Sequence, residues 1–412
     1  MAHRHVLDGY KILDFTHALA GPSGTRIMAD MGAEVIKVEI APNGDMTRGL
    51  PYVHNGRSGY FVQQNRGKKS LCLNPKTPEG LDVLKALIKT ADVFIENYSP
   101  GAIGRMGLGW EVVHALNPRL VMCSISAFGQ TGPLSHLPGY DYIAAGYAGI
   151  LDNIGYPDGP PLLTGMAIGD VSTGMNAYAA VVTALLDRAR TNEGQYLDIS
   201  LLDTYFHLHE LNVQAYTGSD GAVAPTRFGH LHSTVAPIGV FKGRDKYIFI
   251  LSTPKDWPAF CKVIEREDLI EHPDYATVQV RADNRYALAD IIQAWCATQP
   301  DDETIINKFR EAHLPVAPIL SVPEALAEPH MIEREVAPHD NDRGLGNWQF
   351  PRIPLRLSKY PERLELHAPF LGEHNAYVLE KHLGYDAGRI AELYKSGVLH
   401  GSPLPDGMQT AV

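Results

Sequence analysis

Short apolar runs separated by glycine, proline and polar turns dominate the first 130 residues. Residues 11–15, Lys-Ile-Leu-Asp-Phe, predict a buried strand, and helical periodicity follows over 21–31. The run 34–39 predicts a second strand and Ser70-Leu-Cys-Leu73 a third. Residues 78–89 read as a helix, with Thr77 as N-cap and Pro78 at the tolerated first position. Runs at 92–96 and 120–125 complete the strand series. Alternation of this kind predicts an α/β fold, with a mostly parallel sheet covered by helices on both faces.

The pattern then changes. Helical spacing marks 140–150, 176–188 and 201–216, with a strand at 195–199. Residues 218–226 are polar and read as a linker. Beyond them, 235–241 and 246–251 flank Lys242-Gly-Arg-Asp245 like the arms of a hairpin. Helical patterns follow at 256–265, 281–298 and 302–312. The stretch 225–330 is therefore expected to form a smaller α+β domain after a large domain over 1–215. Residues 337–361 are rich in Pro, Gly and Asn and show little periodicity. Helices near 372–383 and 387–396 close the chain, within a segment 331–412.

Charge and cysteine usage narrow the partners. A formal net charge of −11 argues against general affinity for nucleic acid or anionic membrane. Cys72, Cys123, Cys261 and Cys296 are far apart, form no CxxC pair and sit in apolar patterns. They read as buried free thiols, which suits a reducing cytoplasm. The first residues lack the apolar core of a signal peptide, and no run approaches the roughly 20 apolar residues of a membrane span.

Several motifs could carry chemistry. The first strand is followed by Thr16-His-Ala-Leu-Ala-Gly-Pro-Ser-Gly24 and a helix, a Rossmann-like opening without GxGxxG. Such an opening can bind phosphate through helix N-terminal amides, or it can be an ordinary tight connection. His207 and His209 lie two apart in a helical pattern, so their imidazoles diverge and no shared metal is expected. His230 and His232 have no supporting acid or cysteine. Neither a Gly-x-Ser-x-Gly elbow nor a Gly-Lys-Ser/Thr phosphate loop occurs.

The most informative stretch is Gly165-Met-Ala-Ile-Gly169-Asp170-Val-Ser-Thr-Gly174. It places one carboxylate in a glycine-framed turn ahead of the 176–188 helix. Two roles fit Asp170. It can cap the helix. It can also be a carboxylate nucleophile, ionised at neutral pH because the ordinary Asp pKa is about 3.9. A closed apolar pocket would then protect a reactive acyl intermediate, flanking glycines would admit a thioester carbonyl, and nearby amides would hold the oxyanion.

The ordered motifs resemble those of the family III CoA-transferases, almost from end to end. The resemblance is carried by 7–15, Ala20-Gly-Pro22, 32–39, Gly44-Asp-Met-Thr-Arg48, Asn65-Arg-Gly-Lys-Lys-Ser70 and Lys76-Thr-Pro-Glu-Gly80. It continues in Glu96-Asn-Tyr-Ser-Pro-Gly101, Arg105-Met-Gly-Leu-Gly109, Asn117-Pro118, Ser126-Ala-Phe-Gly129, Gly169-Asp170, Gly194-Gln195, Leu371-Gly-Glu-His374 and Leu383-Gly-Tyr385. The resemblance implies an interlocked homodimer and a Rossmann-like large domain that 331–412 returns to complete. It implies Asp170 as the residue that forms a mixed anhydride and then a CoA thioester. Acyl-CoA and a free carboxylic acid are the implied substrates, with no metal and no permanently bound cofactor. CoA contacts are implied at Ala20, Leu73, Lys76, Asn97, Tyr98 and Arg105, and a substrate pocket at His17, Tyr140, Asp141 and Gly169.

Departures from the family pattern sharpen the expectation. The racemase branch has Gly-His-Asp where this chain has Gly139-Tyr140-Asp141, and tyrosine is a poor base at neutral pH. The formyl-CoA branch has a tetraglycine loop and a tryptophan after its Asp-Met-Thr-Arg motif. Here those regions read Gly229-His-Leu-His-Ser-Thr-Val-Ala-Pro237 and Arg48-Gly-Leu50. A carboxylic acid larger than formate or oxalate is expected. The alternatives are an acyl-CoA racemase, a nucleotide-dependent oxidoreductase and a CoA-binding protein without turnover.

Overall fold

The continuous apolar runs become strands buried on both faces, as a parallel sheet between helical layers requires. The computed structural model describes residues 5–405 and 407–410 and contains two compact units. The first comprises the chain up to Ile150, Thr164–Glu210 and the chain from Glu335 onward. Its elements begin β1 (Lys11–Phe15), α1 (Ala20–Asp30), β2 (Glu34–Ile40), β3 (Lys68–Leu73), α2 (Pro78–Ile88), β4 (Val93–Glu96) and β5 (Val121–Ser126). They continue with α3 (Asp141–Tyr147), α4 (Ile168–Thr191), β6 (Tyr196–Ser200) and α5 (Leu201–His207). Thr77 caps α2 through the Gly80 amide. All four cysteines are buried and free.

The six strands lie parallel in the order β3-β2-β1-β4-β5-β6. The chain builds outward from β1 to β3, then crosses back to β4 on the other side of β1. That reversal is a Rossmann-type switch point, where loops leaving the C-terminal ends of β1 and β4 diverge and open a crevice.

The second unit comprises Leu151–Leu163 and Leu211–Arg334. Its antiparallel sheet orders Val316–Pro318, Tyr247–Leu251 and Ile238–Lys242. Helices over Trp257–Val263, Arg285–Thr298 and Asp302–Glu311 pack on it around Phe260, Trp295 and Phe309. The segment 151–163, read from sequence with the first domain, clusters here instead. Among the described residues no helix is long and apolar enough to cross a membrane.

Three expectations change. The helix expected over 176–188 runs from Ile168 to Thr191, so Asp170 lies inside its first turn. Glycine, serine and threonine weaken helical propensity there, and packing against α1 overrides it. The expected 201–216 helix divides into Leu201–His207 and Asn212–Gly218. The stretch 337–361 holds a hairpin, His339–Asp342 with Gly346–Gln349. The first of these strands, His-Asp-Asn-Asp, has no apolar position to reveal it, and ion pairs from Arg57 to Asp342 and from Arg66 to Asp340 hold it in place.

Candidate active site

The loop after β1, the loop after β4 and the 135–140 segment enclose a cavity of about 300 Å³ at the switch point. His17, Ala20, Asn97, Tyr98, Tyr140 and Asp170 line it. Six of the eleven residues singled out from sequence are thus brought together around one space. Two clefts of about 410 and 420 Å³ in the same unit are larger, but neither contains Asp170.

Asp170 is the third residue of α4, not its N-cap, which is Ala167. Its backbone N–H donates to Asp141 Oδ2 at 2.8 Å. Among the described residues, no hydrogen bond reaches its carboxylate oxygens. Burial, and then the neighbouring Asp141 carboxylate, push the Asp170 pKa up to about 7. The positive end of the α4 dipole works the other way. Asp170 therefore titrates near neutrality, where the sequence reading had it fully ionised.

Asp141 does not line the cavity. It is buried behind Asp170, with Oδ1 accepting from the Tyr205 hydroxyl at 2.6 Å. Tyr205 is fully buried, and its ring lies where a side chain at 169 would be: a Cβ on Gly169 would meet Tyr205 Cε2 at 2.0 Å. The glycines framing Asp170 thus do separate jobs. Gly165 takes a left-handed φ of 72° in the preceding turn. Gly169 makes room for Tyr205. Gly174 lets α4 touch α1, because its own Cβ would sit 2.0 Å from Ser23 Oγ and 2.5 Å from the Ala20 carbonyl oxygen. That contact sets Asp170 beside the start of α1.

The β1–α1 loop is held from behind. The Asn97 side chain clamps His17 at both backbone groups, accepting from its N–H and donating to its carbonyl, each at 2.8 Å. Ala18 then takes a φ of 62°, and its N–H reaches Asp45 Oδ1 at 3.3 Å. Lys37, fully buried in β2, bonds the Thr16 carbonyl and Asp45 Oδ2, both at 2.9 Å. Lys68 pairs with Asp14 at 2.9 Å, both fully buried. Charges inside a sheet core persist only when paired in this way, and these pairs fix the floor of the site. Burial lowers the His17 pKa, so its imidazole is neutral at pH 7, and it packs against Tyr98 with ring centroids 5.0 Å apart.

Asn97, expected as a CoA contact, therefore has its amide engaged by His17. Leu73 is fully buried at the end of β3, in register with Ile40 and bridged to Leu399, with no side-chain surface on the cavity. Lys76 and Arg105 lie outside the cavity wall and are exposed, on segments leaving the C-terminal ends of β3 and β4. Neither makes an ion pair among the described residues. Strand spacing of about 4.8 Å sets β3 roughly 10 Å from β1, so a cation at 76 stands well outside the cavity mouth. Tyr140 is exposed at the N-cap of α3. His209 Nε2 lies 2.8 Å from the Ala148 carbonyl oxygen, and in the second unit His232 Nδ1 accepts from the Val235 N–H at 3.2 Å. Tyr205, Asp45 and Lys37 escaped sequence reasoning. The signal available for the last two was a charge inside an apolar strand and the Gly-Asp-Met-Thr-Arg motif. Nothing local marked Tyr205.

The family model for CoA-transferase family III matches residues 7–375. A succinyl-CoA:glutarate CoA-transferase from Mus musculus is 36% identical over 396 residues, 95% of this chain and 90% of that protein. A formyl-CoA:oxalate CoA-transferase from Streptomyces avermitilis is 34% identical over 417 residues, 95% of this chain and 99% of that protein. The crystal structure of a CAIB/BAIF family protein from Brucella suis superposes with a TM-score of 0.81 at 32% identity, covering 92% of this chain and 99% of that one.

Proposed function

Because the chain belongs to CoA-transferase family III, we propose that it passes CoA from an acyl-CoA thioester to a free carboxylic acid through covalent intermediates on Asp170. The observation that carries this reading is a single carboxylate, with no donor to it among the described residues, facing a cavity at the switch point of the sheet. The Asp170 carboxylate attacks the donor thioester carbonyl. The C–S bond breaks, CoA thiolate leaves and a mixed anhydride forms. The thiolate attacks the Asp170 carbonyl, the donor acid leaves as its carboxylate, and CoA is held on Asp170 as a thioester. The acceptor carboxylate repeats the exchange in reverse and restores Asp170. Each thioester is replaced by another, so no net proton, metal or redox equivalent is required.

Oxyanion stabilisation falls to the β1–α1 side of the cavity. The Asp170 amide is taken by Asp141, and the Gly169 amide interacts with the Tyr205 hydroxyl. The N–H groups of Leu19 and Ala20, by contrast, meet no acceptor among the described residues, at the start of α1 and on the cavity wall. Lys76 and Arg105 are assigned to CoA phosphates, with the thioester end reaching inward. The acceptor is assigned as a dicarboxylic acid larger than oxalate. The similarity to a succinyl-CoA:glutarate enzyme supports this, as does the missing tetraglycine loop.

Intact-protein mass spectrometry after adding succinyl-CoA or glutaryl-CoA without acceptor tests the reading. A CoA-sized adduct on Asp170, discharged by hydroxylamine, is expected. An Asp170→Ala variant that still transferred CoA would refute it. A second reading, α-proton exchange in the acyl-CoA, rests on the neutral His17 imidazole sharing the cavity with Asp170. Its measure is deuterium uptake at the α-carbon, and none is expected at rates comparable with transfer.

A further inference from the structure

We propose that Tyr205 is a positioning residue that acts through Asp141 to hold the Asp170 backbone and aim its carboxylate into the cavity. The inference rests on Asp170 being the nucleophile. Three elements far apart in sequence meet here: Asp141 at the start of α3, Asp170 in the first turn of α4, and Tyr205 in α5. The Tyr205 hydroxyl donates to Asp141 Oδ1 at 2.6 Å, and Asp141 Oδ2 accepts from the Asp170 amide at 2.8 Å. The Tyr205 ring also fills the space above Gly169. One side chain thus anchors both faces of the residue pair that presents the nucleophile. Tyr205 and Asp141 are both buried, so a donor lost between them is not readily replaced by water.

The brace has a cost that the reaction can use. A free first-turn amide would stabilise charge on the Asp170 carboxylate, but here that amide serves Asp141. Asp141 in turn sets a second negative charge beside the nucleophile. The titratable groups facing Asp170 are Asp141, Tyr205 and Tyr60, with His17, Tyr98 and Tyr140 in the cavity wall. Among them Asp141 is the one whose charge raises the Asp170 pKa. It is therefore the lever on Asp170, and Tyr205 sets how fully that charge is compensated.

Two substitutions pull this lever in opposite directions. Tyr205→Phe keeps the ring over Gly169 and removes the donor. The fully ionised Asp141–Asp170 pair becomes less favourable, and the acid limb of the pH profile of kcat moves to higher pH. Asp141→Asn removes the charge, and the limb moves to lower pH. Loss of alignment lowers kcat by about 10- to 100-fold in Tyr205→Phe, with KM for acyl-CoA within about twofold of the parent. Carbodiimide labelling of Asp170 against pH, read by peptide mass spectrometry, gives the same two shifts without turnover. Limbs that stay in place, or move together in both variants, overturn the proposal. If Tyr205→Phe does not fold, 3-fluorotyrosine placed at position 205 keeps the ring and strengthens the hydroxyl as a donor to Asp141: an Asp170 labelling curve shifted to lower pH supports the role of Tyr205 and an unshifted one overturns it. Asp170→Ala separates the levels. Retained CoA transfer removes the nucleophile reading itself, whereas an inactive Asp170→Ala with unshifted limbs removes only the role of Tyr205.

Discussion

Gly174→Ala sets two effects of opposite sign against each other. Alanine in a helix interior is favoured over glycine by about 1 kcal/mol, so propensity alone predicts a more stable protein. The added Cβ would lie 2.0 Å from Ser23 Oγ, 2.5 Å from the Ala20 carbonyl oxygen and 2.9 Å from the Gly24 nitrogen. The serine can rotate; the backbone of α1 cannot. Overpacking of this kind costs about 1–3 kcal/mol, and backbone contact places it at the upper end. The clash wins, with a net loss of about 2 kcal/mol. For domains of roughly 150–250 residues that lowers Tm by about 4–8 °C. Separating α1 from α4 also moves Asp170 away from the Ala20 and His17 wall, and a misplacement near 1 Å lowers kcat by about 100-fold. Thermal and urea unfolding, alongside CoA-transfer kinetics, measure both. Gly146→Ala is the control: it lies in α3, is exposed, and its added Cβ meets nothing within 4 Å, so it should show the propensity gain alone. A Gly174→Ala protein as stable and active as the parent would refute the claim that this contact positions Asp170.

Asn97→Ala removes both bonds to His17 and should cost about 2 kcal/mol of stability along with most of kcat. Asn97→Asp keeps an acceptor but sets an anionic oxygen against the His17 carbonyl, so it should resemble Ala; a change confined to KM for CoA would instead make Asn97 a ligand contact. Asp170→Asn should stabilise the protein more at pH 8 than at pH 5. The folded-state pKa, raised from 3.8 to about 7, means that ionisation costs nothing below pH 4, costs progressively more up to pH 7, and reaches at most about 4 kcal/mol above it. Equal Tm gains at both pH values would contradict that. Lys76→Ala and Arg105→Ala should each raise KM for acyl-CoA about tenfold and weaken its salt dependence, with kcat retained; steady-state kinetics at two ionic strengths measures this.

The local half of this molecule was legible because its signals are local. The run at 11–15 became β1 without adjustment, and Thr77 caps α2 as its spacing indicated. Apolar runs closed by turn residues have few ways to bury themselves, and a capping hydroxyl acts within three residues. The sequence also singled out Asp170 with its glycines, and family motifs marked the loops that converge on it. What it could not determine was the meaning of those glycines or the start of α4. Both depend on α1 and Tyr205, which are distant in the chain and become neighbours only when the sheet orders itself around β1. Asp141 lies 29 residues from Asp170 and 64 from Tyr205. No periodicity or propensity links such positions, because the hydrogen bonds joining them exist only in the folded state. The sequence by itself determined which carboxylate is displayed. Tertiary packing decided which amides remain free to serve it, how acidic it is and which way it faces.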